Sequence, residues 1–169
     1  MIEKSPPNMV RLEELSSLFR YRSFLANNRN PYANCASMLY RHYDAQAIGM
    51  KERMRILRRL AKQWLVRSNH IRSLVKSLGI PLVRYEDFCE NPEVLLSALR
   101  LPDGVAEQIN FNARLKIKDY KPQRIRNMNA RQVNRLRKRE LVELSSIFGV
   151  HEELLDFFDY ELHTIDGRR

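Results

Sequence analysis

The stretch Arg29-Asn30-Pro31-Tyr32-Ala33-Asn34-Cys35-Ala36-Ser37 decides the fold. It follows the short apolar run Phe24-Leu25-Ala26 and leads into a helical pattern. A strand end, a turn carrying an arginine and a helix opening with proline in its first turn form a strand-to-helix junction. Such a junction suits an anion. The arginine offers a planar fork of donors, and the helix start offers free N–H groups. A phosphate is the expected occupant.

Outward from this junction the pattern alternates. Upstream, Asn8 is placed to cap a helix to about Phe19, with Leu12, Leu15, Leu18 and Phe19 on one face. Ser23 to Asn27 reads as a strand and Tyr32 to Tyr43 as a helix. Gly49 separates that helix from a long periodic run, Met50 to Leu78, in which Met54, Leu57, Leu60, Trp64, Ile71, Leu74, Val75 and Leu78 recur at helical spacing. Gly79 and Pro81 stop it. Ile80 to Tyr85 is a second strand. Asn91-Pro92-Glu93 opens a helix to about Arg100, and Pro102 to Ile109 reads as another. Residues 112–129 are irregular and basic. Asn129 is placed to cap a helix to Phe148, closed by Gly149, and His151 to about Leu162 is the last helix. One domain over 1–165 with a frayed tail at 166–169 is expected.

Strands separated by helices favour a parallel sheet with crossover helices. Two strands are too few for a complete doubly wound sheet. The expected class is α/β: a helix-rich, partial layer with few parallel strands, whose uncovered sheet edge favours self-association.

Composition narrows the partners. The chain has 169 residues, a net charge of +10 and 44% hydrophobic residues. That is an ordinary globular content. The basic balance points to anionic partners without choosing among nucleic acid, phosphorylated cofactors and acidic polymers. No apolar run approaches the roughly 20 residues of a membrane helix. The first residues, Met1-Ile2-Glu3-Lys4-Ser5-Pro6-Pro7, lack the apolar core of a secretory signal. Cys35 and Cys89 form no metal or redox spacing, and the four histidines form none either. Reduced thiols in a cytoplasmic protein, with no metal, are the simplest expectation.

Four landmarks occur in order: Glu3-Lys4-Ser5-Pro6-Pro7-Asn8; Phe24 to Pro31 with Ser37 eight residues after Arg29; Val83-Arg84-Tyr85-Glu86-Asp87-Phe88 followed by Asn91-Pro92-Glu93; and Lys118-Asp119-Tyr120-Lys121-Pro122-Gln123-Arg124-Ile125-Arg126-Asn127. Together they resemble the C-terminal part of a sulfotransferase of the kind that uses 3′-phosphoadenosine 5′-phosphosulfate. The resemblance implies a P-loop-like, three-layer fold and transfer of a sulfuryl group to a hydroxyl or amine of a carbohydrate or protein acceptor. It implies that Arg29 and Ser37 hold the 3′-phosphate and that Lys4 lies by the sulfuryl group as the catalytic cation. It also implies that Lys118, Lys121 and Arg124 belong to a basic loop closing over the cofactor.

One family feature has no counterpart. The family's phosphosulfate loop is a Gly-Ser/Thr-rich turn between strand and helix, and the five glycines here, Gly49, Gly79, Gly104, Gly149 and Gly167, are isolated. Sulfuryl transfer, like phosphoryl transfer, depends on positioning and on charge stabilisation. Loss of even one oxyanion donor costs about 3 kcal/mol. The chain alone is therefore expected to be inactive or incomplete as an enzyme.

Plainer readings stand beside these. Arg29 can pair with an acidic neighbour, Ser37 can pack inside its helix, Lys4 can be a frayed end, and Glu86 and Asp87 can cap the turn after the strand. Trp64 suits a core. Arg53, Arg55, Arg58, Arg59 and Lys62 on one helix, and Arg131, Arg135, Arg137, Lys138 and Arg139 on another, suit a solvated face. Two rival functions follow: a non-catalytic nucleotide- or protein-binding remnant, and a basic helical nucleic-acid binder. Aromatics are not interleaved with those charges, which disfavours the second.

Overall fold

The computed structural model describes residues 11–20, 22–99, 101, 104–114 and 121–163. Its elements, in order, are α1 (Leu12–Leu18), β1 (Ala26–Asn28), α2 (Pro31–His42), α3 (Met50–Leu78), β2 (Leu82–Arg84), α4 (Tyr85–Glu90), α5 (Val94–Ala98), a 3-10 turn (Ala106–Gln108), α6 (Asn129–Val133), α7 (Lys138–Gly149) and α8 (Glu152–Phe157). Helix predominates, and the sheet is one parallel pair with Ala26 opposite Leu82 and Asn28 opposite Arg84. The helix-rich α/β class stands. No described helix is long and apolar enough to cross a membrane.

α3 begins and ends where its sequence dictates. Gly79 ends it in the left-handed conformation, φ 61°, and donates its N–H to Val75 O at 3.1 Å. A side chain at that φ is strained, so glycine is the natural stop. Along the helix Leu57, Leu60, Ala61 and Trp64 are buried and pack with Tyr32, Leu39, Leu144, Phe148 and Phe158. Trp64 meets Phe148 edge-on at 5.5 Å and donates its indole N–H to Arg29 O at 2.9 Å. Trp64 is therefore a core residue whose polar tip fastens the β1–α2 junction.

Arg53 overturns the expectation of a wholly solvated basic face. It is 1% exposed, and its partner Glu140 on α7 is fully buried. Arg53 Nη2 donates to Glu140 Oε2 at 3.1 Å and to Tyr40 Oη at 3.0 Å, Nε donates to Glu140 Oε1, and Nη1 donates to Ala45 O. Glu140 Oε2 also accepts from Arg137 N at 2.8 Å. Arg53 lies four, seven and eleven residues before Leu57, Leu60 and Trp64, so the apolar periodicity already places it on the buried face.

Other expectations change. The helix expected from Asn91 to about Arg100 is only α5, with Glu93 at its cap and Asn91 closing α4, and the last helix ends at Phe157. The helix expected from Asn129 to Phe148 is two, because Leu136 turns into the core and Glu140 must stand near a helix start to reach both Arg137 N and Arg53. The second strand stops at Arg84. Arg84 forks onto Asp87, Nε to Oδ2 at 2.8 Å and Nη2 to Oδ1 at 2.7 Å, and this clamp closes the first turn of α4. The helix expected over Pro102–Ile109 is only the 3-10 turn at its end among the described residues.

Removing one partner of a buried ion pair leaves an uncompensated charge, at a cost of about 3–5 kcal/mol. Arg53→Ala and Glu140→Ala should each lower the unfolding free energy in urea by that amount. Arg53→Met combined with Glu140→Leu should recover most of it. Equal stability of both single variants and the wild type would contradict the clamp.

Candidate functional site

The carboxyl ends of β1 and β2 lie side by side, so the residues that follow them share one edge: Arg29 and Asn30 after β1, Tyr85 and Glu86 after β2. In open parallel sheets this edge is where ligands bind. α6 contributes Asn129 to the same place. Its Oδ1 accepts from Arg29 Nε at 2.8 Å, and its Nδ2 donates to Glu86 Oε1.

Arg29 forms no ion pair among the described residues, so pairing with an acidic neighbour is not what holds it. Its guanidinium lies over the Tyr85 ring, 4.2 Å from the centroid. A stacked cation of this kind gains about 0.5–2 kcal/mol, rising with desolvation. Its Nη2 is shielded from solvent and has no hydrogen-bond partner among the described residues. An unmatched, shielded guanidinium donor is a costly feature, and it marks where an acceptor would be welcome.

The helix start is less open than the sequence suggests. Asn30 caps α2, its Oδ1 accepting from Ala33 N at 3.1 Å. Asn30's own N–H goes to Glu86 Oε1 at 2.9 Å. Pro31 has no N–H to offer. The carboxylate that sits against this positive helix end is thus the protein's own. Glu86 thus serves the N-cap residue of α2, not the turn after its own strand. Its Oε2 accepts from Tyr160 Oη at 3.1 Å. Burial first, and the Glu86 charge second, push the Tyr160 phenol well above its usual range.

Tyr85 ties the C-terminal segment to this edge. Its hydroxyl donates to Arg126 O and accepts from Met128 N, both at 3.2 Å. Asn129 then opens α6, capped by no side chain of its own, because its amide is spent on Arg29 and Glu86. The expected cap is therefore a bridge. Asn129 and Glu86 are the site residues that sequence spacing did not single out as such. The available signal was only Glu86 following a strand end in the same way that Arg29 does.

Ser37 lies two turns into α2, half-buried. Lys121 and Arg124 are exposed, on the segment that leads to Arg126 and Asn129. Lys4 and Lys118 lie outside the described residues. The structure thus groups Arg29 with Tyr85, Glu86 and Asn129.

Beside this cluster runs an open groove of about 510 Å³, lined by Asn30, Tyr32, Glu86, Asp159, Tyr160 and Glu161 among others. Its carboxylates outnumber its one arginine, Arg84, which Asp87 and Asp159 already hold. Among the described residues of this edge, the arginine not already held by a carboxylate is therefore Arg29. No group of three or more His, Cys, Asp or Glu residues suited to a metal occurs among the described residues.

Comparison with protein-family models, curated proteins and solved structures finds no match.

The two thiols, Cys35 on α2 and Cys89 on α4, are both free. Burial pushes the Cys35 thiol up to about 12, and burial also raises Cys89, which is only half-buried. Thiolate is the reactive form. A disulfide reagent at neutral pH should therefore titrate one thiol slowly, Cys89, in the native protein and both in guanidinium. Rapid titration of both in the native state would contradict the burial of Cys35.

Proposed function

We propose that this chain is a sulfotransferase-like module that binds 3′-phosphoadenosine 5′-phosphosulfate or its desulfated product. Arg29 takes the 3′-phosphate through a charge-assisted fork, and Ser37 adds a hydroxyl donor from the next turns of α2. Lys4 stands by the sulfuryl group, and the segment with Lys118, Lys121 and Arg124 closes over the nucleotide. The acceptor is a hydroxyl or amine on a carbohydrate or protein. The P-loop-like, three-layer architecture belongs to the same proposal. So does self-association along the sheet edges that β1 and β2 leave unpaired by any further described strand.

The observation that carries the reading is the Arg29 guanidinium at the carboxyl edge of a parallel strand pair, with one shielded donor unpartnered. It supports an anion at this edge, and the order of the sequence landmarks supports a nucleotide phosphate as that anion. Free thiols at Cys35 and Cys89 favour a reducing, cytoplasmic setting. Without a glycine-rich phosphate loop in its sequence, the chain by itself is a nucleotide binder with little or no turnover.

Adenosine 3′,5′-bisphosphate should raise the thermal unfolding midpoint of the purified chain. At about a hundred times Kd the stabilisation is about 2.7 kcal/mol. Arg29→Ala should abolish the shift and Ser37→Ala should weaken it, while both variants stay folded by circular dichroism. No shift with millimolar bisphosphate would remove the nucleotide reading. Stabilisation by oligonucleotides with a steep salt dependence would replace it with nucleic-acid binding. Multiple turnovers in a radiolabelled sulfuryl-transfer assay would overturn the claim that this chain is incomplete.

A further inference from the structure

Asn129 stands between two opposite charges and keeps them from meeting. Its Oδ1 accepts from Arg29 Nε at 2.8 Å and its Nδ2 donates to Glu86 Oε1. Only this orientation of the amide serves both, because a guanidinium only donates and a carboxylate only accepts. A guanidinium and a carboxylate this near each other commonly form a direct fork. Arg84 does so with Asp87 beside this site, and Arg53 does so with Glu140 in the core.

Glu86 is otherwise engaged at both oxygens. Oε1 takes Asn30 N–H as well as the Asn129 amide, and Oε2 takes Tyr160. Arg29 is not engaged to the same degree. It is stacked on Tyr85, its Nε donates to Asn129, and its Nη2 is shielded and without a hydrogen-bond partner among the described residues. A bridge from 100 residues away in sequence thus leaves the arginine's charge unneutralised.

We propose that Asn129 is a positioning residue: a neutral spacer that holds Arg29 out of the reach of Glu86 and so reserves its unpartnered donor for a phosphate or sulfate oxygen. The identity of that anion rests on the nucleotide reading above; the spacing does not. When the spacer is removed, Arg29 has lost its acceptor and Glu86 one of its donors. Each then satisfies the other, and the cation is consumed internally.

Three proteins test this: wild type, Asn129→Ala, and Asn129→Ala with Glu86→Gln. Calorimetric titration with adenosine 3′,5′-bisphosphate should show Asn129→Ala weaker by about tenfold or more, the size of one lost charge-assisted hydrogen bond. The double variant should return to within about threefold of wild type, because a neutral amide in place of the Glu86 carboxylate does not capture the guanidinium. A merely structural role for Asn129 predicts no such rescue. The crystal structure of Asn129→Ala should show Arg29 and Glu86 in direct contact. Wild-type affinity in Asn129→Ala, or a double variant no better than the single, overturns the proposal. If the wild type itself fails to bind the bisphosphate, the nucleotide reading falls, and the crystal structure still decides the spacer. A direct Arg29–Glu86 pair supports it, and an Arg29 unmoved over Tyr85 overturns it. Should Asn129→Ala not fold, Asn129→Ser carries the same measurements.

Discussion

The buried pair of Arg53 and Glu140 constrains everything around it. Two charges taken out of water are tolerated only when their remaining donors and acceptors are satisfied. Here that demand reaches Tyr40 on α2, Ala45 O in the connection to α3, and Arg137 N at the start of α7. Tyr40 is in turn fixed by its own hydroxyl on Arg135 O at 2.6 Å and by the Arg135 guanidinium over its ring, 3.6 Å from the centroid. One ion pair therefore sets the relation of α2, α3 and α7. It also sets where α7 begins, since Glu140 serves the helix start and Arg53 at once. The break between α6 and α7 follows from it. A continuous helix from Asn129 would put about 16 Å of rigid rod between Asn129 and Glu140. Broken after Val133, the chain can seat Glu140 in the core and still bring Asn129 to the edge of the sheet.

That dependence explains what could be read from the chain. α3 was legible to the residue, because its apolar period is long and Gly79 ends it in a conformation that suits glycine. The parallel pairing followed from strands separated by helices, and the β1–α2 junction from Pro31 in the first turn of the helix. The α6–α7 break was not legible, since 129–148 carries an uninterrupted helical pattern. Its cause is a partner 87 residues away. α4 was hidden in a similar way. The branched residues of β2 run into Tyr85, and only the Arg84–Asp87 fork shows that the strand has already ended. Local propensity is a weak prior when a long-range polar contact fixes the boundary.

The same limit governed the site. Arg29 was found because an arginine at a strand-to-helix junction has a chemical meaning in sequence. Glu86 and Asn129 have theirs only after two strands and a short helix bring them together. The expected free N–H groups of α2 were the reasonable inference from sequence, and the fold supplies Glu86 to one of them instead.

The chain thus holds two arginines in opposite states. Arg53 is closed: its donors meet Glu140, Tyr40 and Ala45, and its charge is matched by a carboxylate with no exposure. Arg29 is open: a neutral amide takes one donor, an aromatic face supports the plane, and another donor has nothing. Folding stability alone favours the first arrangement, because an unmatched donor costs free energy that a carboxylate one bridge away could recover. The second arrangement makes physical sense when the missing acceptor comes from outside. In a protein of net charge +10, spare cations are common on the surface, where water serves them. A spare donor shielded at the carboxyl edge of a parallel sheet is a different thing. The adjoining groove carries three carboxylates, Glu86, Asp159 and Glu161, against one arginine, Arg84, that is already paired. Under the proposed function, discrimination at this edge rests on the Arg29 guanidinium and on the Asn129 amide bridged between it and Glu86.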